Sequence, residues 1–543
     1  MIYISRFFFK IFDQIRKFYL RSNFYDKKIS KINNNKFIYR PSPHLLSSLI
    51  KYQKKKFKIE DFSLDGIWNN ENLSTRDYNN LNNFYWFFSL DLKSSKKNTQ
   101  LVIKNWINHN NKYNDKSWSF DLTAKRIIAW LSNHNLTYEN CDEEYRNHFN
   151  VMIQKQTNHL INEINKSELV DDKLIGCASI ILVGLCYQDE KKYLSFGSNL
   201  LKKISKITLD NYGFPKSRSI KQLIFYLKYF ILIREWFKES QINIPEHIDE
   251  TIYYLGQGYA FVWQNIKSDI LYNGNNISNN DNFDNYLKRL GYKFKNENQD
   301  VGGYIILKNK KICLTMDVGS SPNSAFSKDY QSGALSFEVI SNGKKLISNC
   351  GYHKESNIKL NEISKSSAAQ STLVIDDNSS CKFSKIDKSW IINKGLKILK
   401  KNTVFEKNYW KINSSHDGYQ KKYKAIHERE IEFFPEKSTF VGTDKIIKKI
   451  NANYKFDIRF HVEPNVKLMK TQDNKTILIQ LGDEGWKFTC DNYDINIDNG
   501  LYFGNKNSYT ENQNIFISGI SNNQTESIIS VSYTHLTLPT IHR

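Results

Sequence analysis

The sequence predicts a multidomain α+β protein, helical through its first half and built of antiparallel strands in its second. Three observations carry this. The chain has 543 residues, more than one hydrophobic core ordinarily serves, so two or more domains are expected. Apolar residues recur at helical spacing through residues 75–265. From Gly302 onward the period shortens to strands separated by turn residues. Hydrophobic residues make up 40% of the chain and aromatics 14%, enough for packed cores and too many for a disordered chain.

The N-terminal stretch is rich in Phe and Ile but broken by Arg6, Lys10 and Asp13, and no small-residue cleavage site follows it, so it does not read as a signal peptide. It reads as a basic amphipathic helix that docks on the chain's own core. The alternative is a peripheral contact with an anionic membrane. No run is long and uncharged enough to span a bilayer.

Residues 84–92 and 101–106 open the helical region. Asp121 is placed to cap a helix carrying Ile127, Trp130 and Leu131 on one face. Residues 174–187 are almost wholly apolar, as in a helix buried on most sides. Leu223, Tyr226, Leu227, Phe230 and Ile231 follow the i, i+3, i+4, i+7, i+8 pattern. Long amphipathic helices with short joins indicate a bundle or toroid. A polar break at 268–300, with Asn273-Gly-Asn-Asn at its centre, marks the boundary. Beyond it, Lys308-Asn-Lys-Lys, Ser341-Asn-Gly-Lys and Asp498-Asn-Gly each sit between two short apolar runs and are expected hairpin turns. Many short strands spaced by turns imply an all-β sandwich. The expected organisation is an N-terminal basic segment at 1–60, a helical domain at 61–275, a linker at 276–301 and a β-sandwich at 302–531. The tail at 532–543 lacks the Asn and Lys that fill the rest and is set apart.

The formal net charge of +22 favours polyanionic partners. No zinc finger, RNP signature or helix-turn-helix with a basic reading face accompanies it, so no nucleic-acid partner is expected. The seven cysteines are widely spaced, contain no Cys-x-x-Cys and lie mostly in apolar contexts. They read as buried free thiols in a reducing compartment. The expected location is the cytoplasm or the cytoplasmic face of the membrane, with the periplasm as the alternative. There is no Gly-x-Ser-x-Gly elbow, phosphate loop or dinucleotide fingerprint, and no cofactor is expected.

Candidates for chemistry are Arg218, in the turn Lys216-Ser-Arg-Ser, which could pair with a carboxylate through its planar fork; Tyr212 and Tyr330 as acid/base groups; and His353, His416 and His427. Asp171-Asp172 and Asp376-Asp377 are neighbouring acids.

Several segments, in their order and spacing, resemble the heparinase II/III family over residues 75–530. They are Asp121-Leu-Thr-Ala-Lys-Arg-Ile-Ile-Ala-Trp-Leu, Gly213-Phe-Pro-Lys-Ser-Arg-Ser, Ala334-Leu-Ser-Phe-Glu, Ala369-Gln-Ser-Thr-Leu-Val-Ile-Asp-Asp, His416-Asp-Gly-Tyr with Ile426-His-Glu-Arg, Asp457-Ile-Arg-Phe-His and Gly485-Trp. The resemblance implies an N-terminal (α/α) toroid followed by an antiparallel β-sandwich, with a substrate cleft between them. It also implies an enzyme that cleaves uronate-containing acidic polysaccharide by β-elimination. That reaction needs a donor to neutralise the uronate carboxylate, a base for the C5 proton and an acid for the leaving oxygen. On this resemblance Arg218 is the neutraliser, and Tyr330 and His416 are the proton-transfer groups. Tyr212, Lys216, Gln222, Gln331, His353 and Tyr419 contact substrate.

The chain departs from the family at several points. Asp171-Asp172 stand where the family often has Asn-His, and Gln222 stands near a family Tyr. Gln331, Asn349 and Gln370 occupy positions where the family has imidazole and carboxylate groups, and where some members hold a structural zinc. Amide oxygens bind zinc far less well, so no metal is expected. These departures motivate a second reading, in which the same scaffold holds an anionic glycan during envelope or capsule assembly.

Overall fold

The computed structural model describes residues 14–31, 36–49, 56, 58–61, 67–68, 72–167, 170–188, 191–278, 280–354, 357–386, 389–505 and 508–537. Much of the predicted N-terminal helix and the end of the C-terminal tail lie outside these residues. The chain forms two compact units. One takes Met1–Thr208, Phe225–Tyr253 and Asn285–Leu290; the other takes Leu209–Ile224, Tyr254–Asp284 and Gly291–Arg543.

The first unit is helical. Its centre is the helix Val170–Cys186, in which every residue from Leu174 to Cys186 is buried, as an almost wholly apolar run requires. It packs against Phe120–Ser132 and Lys191–Thr208. The approach to the latter is close: a Cβ on Gly184 would stand 2.6 Å from the backbone nitrogen of Leu194, so only glycine fits. Trp106 and Trp130 meet edge-to-face with centroids 5.5 Å apart, and Phe84 meets Trp130 at 5.3 Å. Arg126 is buried beneath them, 3.9 Å from the Trp106 ring. It donates to the carbonyls of Asn82 and Ser117, both at 2.9 Å, and to Gln156 Oε1 at 3.0 Å. Burial without a carboxylate partner lowers its pKa to about 9. Asp121 is not the cap of its helix. Ser119 holds that place, and Asp121 lies in the first turn, where its Oδ2 meets Lys125 Nζ at 3.1 Å. An acid there still complements the helix dipole.

The second unit is built of antiparallel strands. Strands β1 (Asp300–Val301), β2 (Tyr304–Lys308), β3 (Ile312–Asp317), β4 (Phe337–Ser341) and β5 (Lys344–Ile347) pair in sequential order. They are followed by β6 (Leu373–Ile375), β7 (Lys382–Ile386), β8 (Ser389–Lys394), β9 (Ile398–Phe405), β10 (Trp410–His416), β11 (Ala425–Phe434) and β12 (Thr439–Lys448). The last are β13 (Tyr454–His461), β14 (Lys467–Lys470), β15 (Thr476–Leu481), β16 (Glu484–Thr489), β17 (Ile495–Tyr502), β18 (Thr510–Ser521) and β19 (Thr525–Thr537). An eight-stranded sheet has the order β14-β15-β16-β19-β12-β11-β10-β9; a four-stranded sheet has the order β17-β18-β13-β6; β7 and β8 form a separate hairpin. The inward residues of these sheets, among them Leu314, Val339, Trp410, Ile431, Phe456, Phe488 and Ile517, form one core. Helices followed by a β-sandwich is the architecture the sequence predicts.

The turns at Lys308-Asn-Lys-Lys and Asn342-Gly343 close hairpins β2–β3 and β4–β5. Asn342 and Gly343 have φ of 45° and 80°, as a tight hairpin turn needs. The third expected hairpin is absent. Asp498-Asn-Gly lies inside β17, which pairs with β18 along its whole length, Asn499 opposite Gln513 and Gly500 opposite Asn512. Long-range pairing on an edge strand overrides the local turn signal. The polar break also contains a helix, Asp281–Leu290, whose Asp284 accepts hydrogen bonds from Tyr259, Trp263 and Gln264. All seven cysteines are free. Among the described residues, no helix is long and apolar enough to cross a membrane.

Candidate functional site

A cleft of about 490 Å³ opens within the strand-built unit. Its first wall is the turn at 210–214. Asp210 Oδ1 accepts from the backbone N–H of Tyr212 at 2.9 Å and of Phe214 at 2.8 Å, which shapes the turn and leaves the Tyr212 ring 77% exposed. Gly213 has φ of 75°, and a Cβ there would lie 2.3 Å from Cβ of Tyr254, so the turn needs glycine on both counts. Tyr254, 37% exposed, joins Gln257 and Gly258 in the lining. Asn296, Asn298, Asp300 to Gly303, and Lys401 from β9 complete it. Asn296 donates to the carbonyl of Gln257 at 3.1 Å and accepts from the Asn298 N–H at 2.8 Å. Lys401 and Asp300 form an ion pair. Two accessible phenol rings beside amides and carboxylates give apolar faces to stack on and polar groups to orient hydroxyls, the mixture that polyhydroxylated rings require. The lining holds two carboxylates against one ammonium.

The floor at Gly302-Gly303 is set by Arg218. This guanidinium is 7% exposed and donates to the carbonyls of Gly302, Gly303 and Gly319 at 3.2, 3.0 and 3.0 Å. It also pairs with Asp317 Oδ1 at 2.5 Å, and it stands 4.8 Å from the Tyr304 ring. Burial alone would lower its pKa, but Asp317 outweighs that and holds it above its ordinary value. A group placed this way is fully engaged by protein, so it shapes the cleft instead of meeting a uronate. Asn273 extends the network to Asp317 Oδ2 at 3.2 Å, to the Tyr304 hydroxyl at 2.6 Å and to the Gln331 N–H at 3.2 Å.

The expected proton-transfer groups are also interior. Tyr330 is 0% exposed in a small cluster with Ala334, Cys381, Ile392 and Leu396, and burial drives its pKa well above the phenol value. His416 is the last residue of β10. Its Nδ1 accepts from the Gly418 N–H at 3.0 Å, so the proton is on Nε2, which faces His427 Nδ1 at 3.3 Å. His427 Nε2 then donates to Asp444 Oδ1 at 2.6 Å. Arg429 closes the chain on Asp444 with bonds of 2.8 and 2.9 Å. Burial pushes His416 well below the usual imidazole value, His427 and Arg429 adding to it. The carboxyl of Asp444 is resisted by burial but held at about 2 by Arg429 and His427. This row of neutral imidazoles ties β10, β11 and β12 together.

Among the expected contact residues, only Tyr212 lines the cleft. Lys216 is exposed on the neighbouring turn, and Gln222 Oε1 accepts from Ser217 at 2.6 Å. His353 is half-buried, edge-on to Phe503. Tyr419 is buried, donating to the Leu373 carbonyl at 2.9 Å. Gln331 is buried, donating to the carbonyls of Gly351 and Ser364 at 2.9 and 2.6 Å and accepting from Gly274 at 3.1 Å. Gln370 donates to the same Ser364 carbonyl at 3.2 Å, and Asn349 accepts from Ser371 at 2.8 Å. These amides close on backbone groups and do not fit a zinc ion. Among the described residues, no cluster of three or more His, Cys, Asp or Glu could hold a metal.

In the helical unit, Asp171 and Asp172 occupy the first turn of Val170–Cys186. Asp171 lies beside the buried phenol of Tyr226. The hydroxyls of Tyr85 and Tyr229 are 3.3 Å apart. Burial, reinforced by the two acids, pushes Tyr229 up to about 12 despite its bond to Tyr85. The Cys350 thiol lies 3.2 Å from His461 Nδ1, but both are buried and neutral, the thiol's pKa raised and the imidazole's lowered to about 4 by burial.

Tyr254, Asp300 and Lys401 were not legible as site residues. They come from three distant stretches, and only the fold assembles them. Their one local signal is the Asp300-Val-Gly-Gly turn at the start of β2.

Comparison with known proteins agrees with this architecture. Residues 296–531 match the family described as Heparinase II/III-like, C-terminal. No curated protein matches the sequence. Among solved structures, a heparinase III superposes with a TM-score of 0.69 at 15% identity, over 93% of this chain and 86% of that one. A lysine-methylated heparinase III gives 0.69 at 13%, over 90% and 82%. The heparan sulfate lyase HepC of Pedobacter heparinus gives 0.63 at 12%, over 93% and 85%. Residues 296–531 thus form a Heparinase II/III-like C-terminal domain, and the chain has the heparinase III fold along most of its length.

Proposed function

We propose that the protein engages an acidic, uronate-containing polysaccharide, seating sugar rings on Tyr212 and Tyr254 in the cleft of its strand-built unit. The observation that carries this reading is the pairing of a Tyr212 ring 77% exposed with amides and carboxylates around a cavity of about 490 Å³. An exposed ring at the mouth of a concave cavity with convergent polar groups offers a stacking face to a sugar. The basic charge of the whole chain favours an anionic polymer.

Holding the glycan is favoured over cleaving it with the residues first expected. Arg218, Tyr330 and His416 are buried and bonded within the protein, and a group must reach the reacting atoms to transfer their protons. The second reading is β-elimination. It is supported by the lyase fold and by Tyr212, an accessible phenol for proton transfer in the cleft with Lys401, whose ammonium would have to exchange Asp300 for the uronate carboxylate.

One assay separates the two. The purified protein is incubated with polygalacturonate and absorbance is followed near ~232 nm, where the unsaturated product of elimination absorbs. A holding protein binds the polymer and gives no rise. A sustained rise abolished by Tyr212→Phe establishes elimination and overturns the holding reading.

A further inference from the structure

The cleft lining carries more negative than positive charge, so an anionic chain must find its counter-charge elsewhere. The hairpin β7–β8 supplies it. Lys382 stands directly opposite Lys394 across this pair of strands. Like charges facing each other across an antiparallel ladder are destabilising, and residues such as Thr or Ser would fill both positions without that repulsion. A third ammonium comes from Lys421 in the short helix Gln420–Tyr423. Burial first, then Lys421 and Lys382, lower the pKa of Lys394, with Asp417 and Cys381 opposing. Asp417, whose Oδ1 accepts from the Lys397 N–H at 2.6 Å, offsets the repulsion only in part, since the net shift of Lys394 is downward. Among the described residues, none of the three lysines has a carboxylate partner within ion-pair distance.

This differs from the lysines that follow. On β9, an edge strand of the eight-stranded sheet, Lys400 pairs with Glu428 at 3.4 Å and Lys401 with Asp300. Lysines on an edge also discourage edge-to-edge association, and those two serve that end with partners present. Of the unpartnered trio, Lys382 and Lys394 lie on a hairpin outside the large sheets, and Lys421 lies in the short helix Gln420–Tyr423. The chain from Lys394 to Lys401 spans at most about 25 Å, so one extended polymer can lie along both the trio and the cleft.

We propose that Lys382, Lys394 and Lys421 form an anchoring site for the acidic groups of a polysaccharide chain, separate from the cleft that seats its sugar rings. The choice of polymer rests on the glycan reading above; the anion site itself does not. Three positive charges gathered on one surface, two of them forced opposite each other, bind successive carboxylates or sulfates of a linear polyanion. A neutral polymer gains nothing from them.

The test measures retention of the full-length protein on immobilised polygalacturonate, dextran sulfate, dextran and a single-stranded oligonucleotide over a salt series. The wild type is compared with the triple variant Lys382→Ser, Lys394→Ser, Lys421→Ser. The expected result is strong retention on polygalacturonate, none on dextran, and a slope of log affinity against log salt reduced by about two to three in the triple variant. Retention on dextran sulfate as well would extend the site to sulfate. Removing a repulsive pair does not lower the melting temperature at low salt, so an unchanged or raised value excludes misfolding of the variant. An unchanged slope in the triple variant overturns the site. Retention on the oligonucleotide above that on both acidic polysaccharides overturns the choice of partner. Tyr212→Ala leaves the slope as it is. Loss of binding to short uronate oligosaccharides with the salt slope intact marks failure at the cleft and not at the lysines.

Discussion

Arg218→Ala tests whether this arginine builds the cleft or works on a substrate. The side chain is 8% exposed, against 1% for its partner Asp317, and their ion pair is short at 2.5 Å. Removing one member of a buried pair strands the other charge and costs about 3–5 kcal/mol. The Gly302, Gly303 and Gly319 carbonyls lose their donors as well, which adds to the loss wherever water cannot replace them. A total of at least about 4 kcal/mol is a large fraction of the stability of an ordinary domain. The assay is guanidinium denaturation followed by near-ultraviolet circular dichroism, with the unfolding slope compared between variants. Asp317→Ala should lose a similar amount. The double variant Arg218→Met with Asp317→Leu should lose less than either single change, because an apolar replacement leaves no charge stranded. An Arg218→Ala protein whose stability stays within about 0.5 kcal/mol of wild type, yet no longer acts on polysaccharide, would refute the structural assignment and restore Arg218 as a substrate contact.

Acid should destabilise the strand-built unit through its buried imidazoles. Burial lowers His461 to about 4 and depresses His416 and His427 as well. Below the unfolded imidazole value of about 6.5 the unfolded chain takes up protons that the folded chain refuses. Stability is therefore fully present above that pH and falls as the pH drops towards 4, by about 3 kcal/mol for His461 alone; a flat stability profile from pH 7 to 4.5 would contradict it. Gly213→Ala should lower the melting temperature and weaken glycan binding together, since the added methyl meets Tyr254 and the backbone is left-handed there; an unchanged melting temperature would contradict this. In native protein a thiol reagent should modify Cys141 first, because the other six cysteines are buried; fast labelling of several thiols before denaturant is added would contradict the packing.

The order of architectures was legible because it is written in local periodicity. The almost wholly apolar run from Leu174 and the Asn342-Gly343 turn each signal their element within a few residues, and both are present. Asp498-Asn-Gly misled because turn chemistry is a local preference, while register along β17 is fixed by its partner β18. The site was less legible for a related reason. Arg218, Tyr330 and His416 belong to motifs that mark the fold, and polar residues in such motifs are as apt to hold loops together as to meet substrate. Burial decides between the two, and burial is a property of the assembled chain. Asp317, Asn273 and Tyr304, which fix Arg218, come from separate stretches with no common signature. Tyr212 is a candidate for its phenol alone; its neighbours across and beside the turn do not predict its exposure, since Phe214 in the same turn is buried.

Tyr212 and Tyr254 are proposed to seat a sugar ring. Calorimetric titration of the full-length protein with a short uronate oligosaccharide at moderate salt tests it most directly. The expected result is measurable binding that weakens roughly tenfold or more in Tyr212→Ala and again in Tyr254→Ala, with folding unchanged. Equal affinity in wild type and both variants would contradict it.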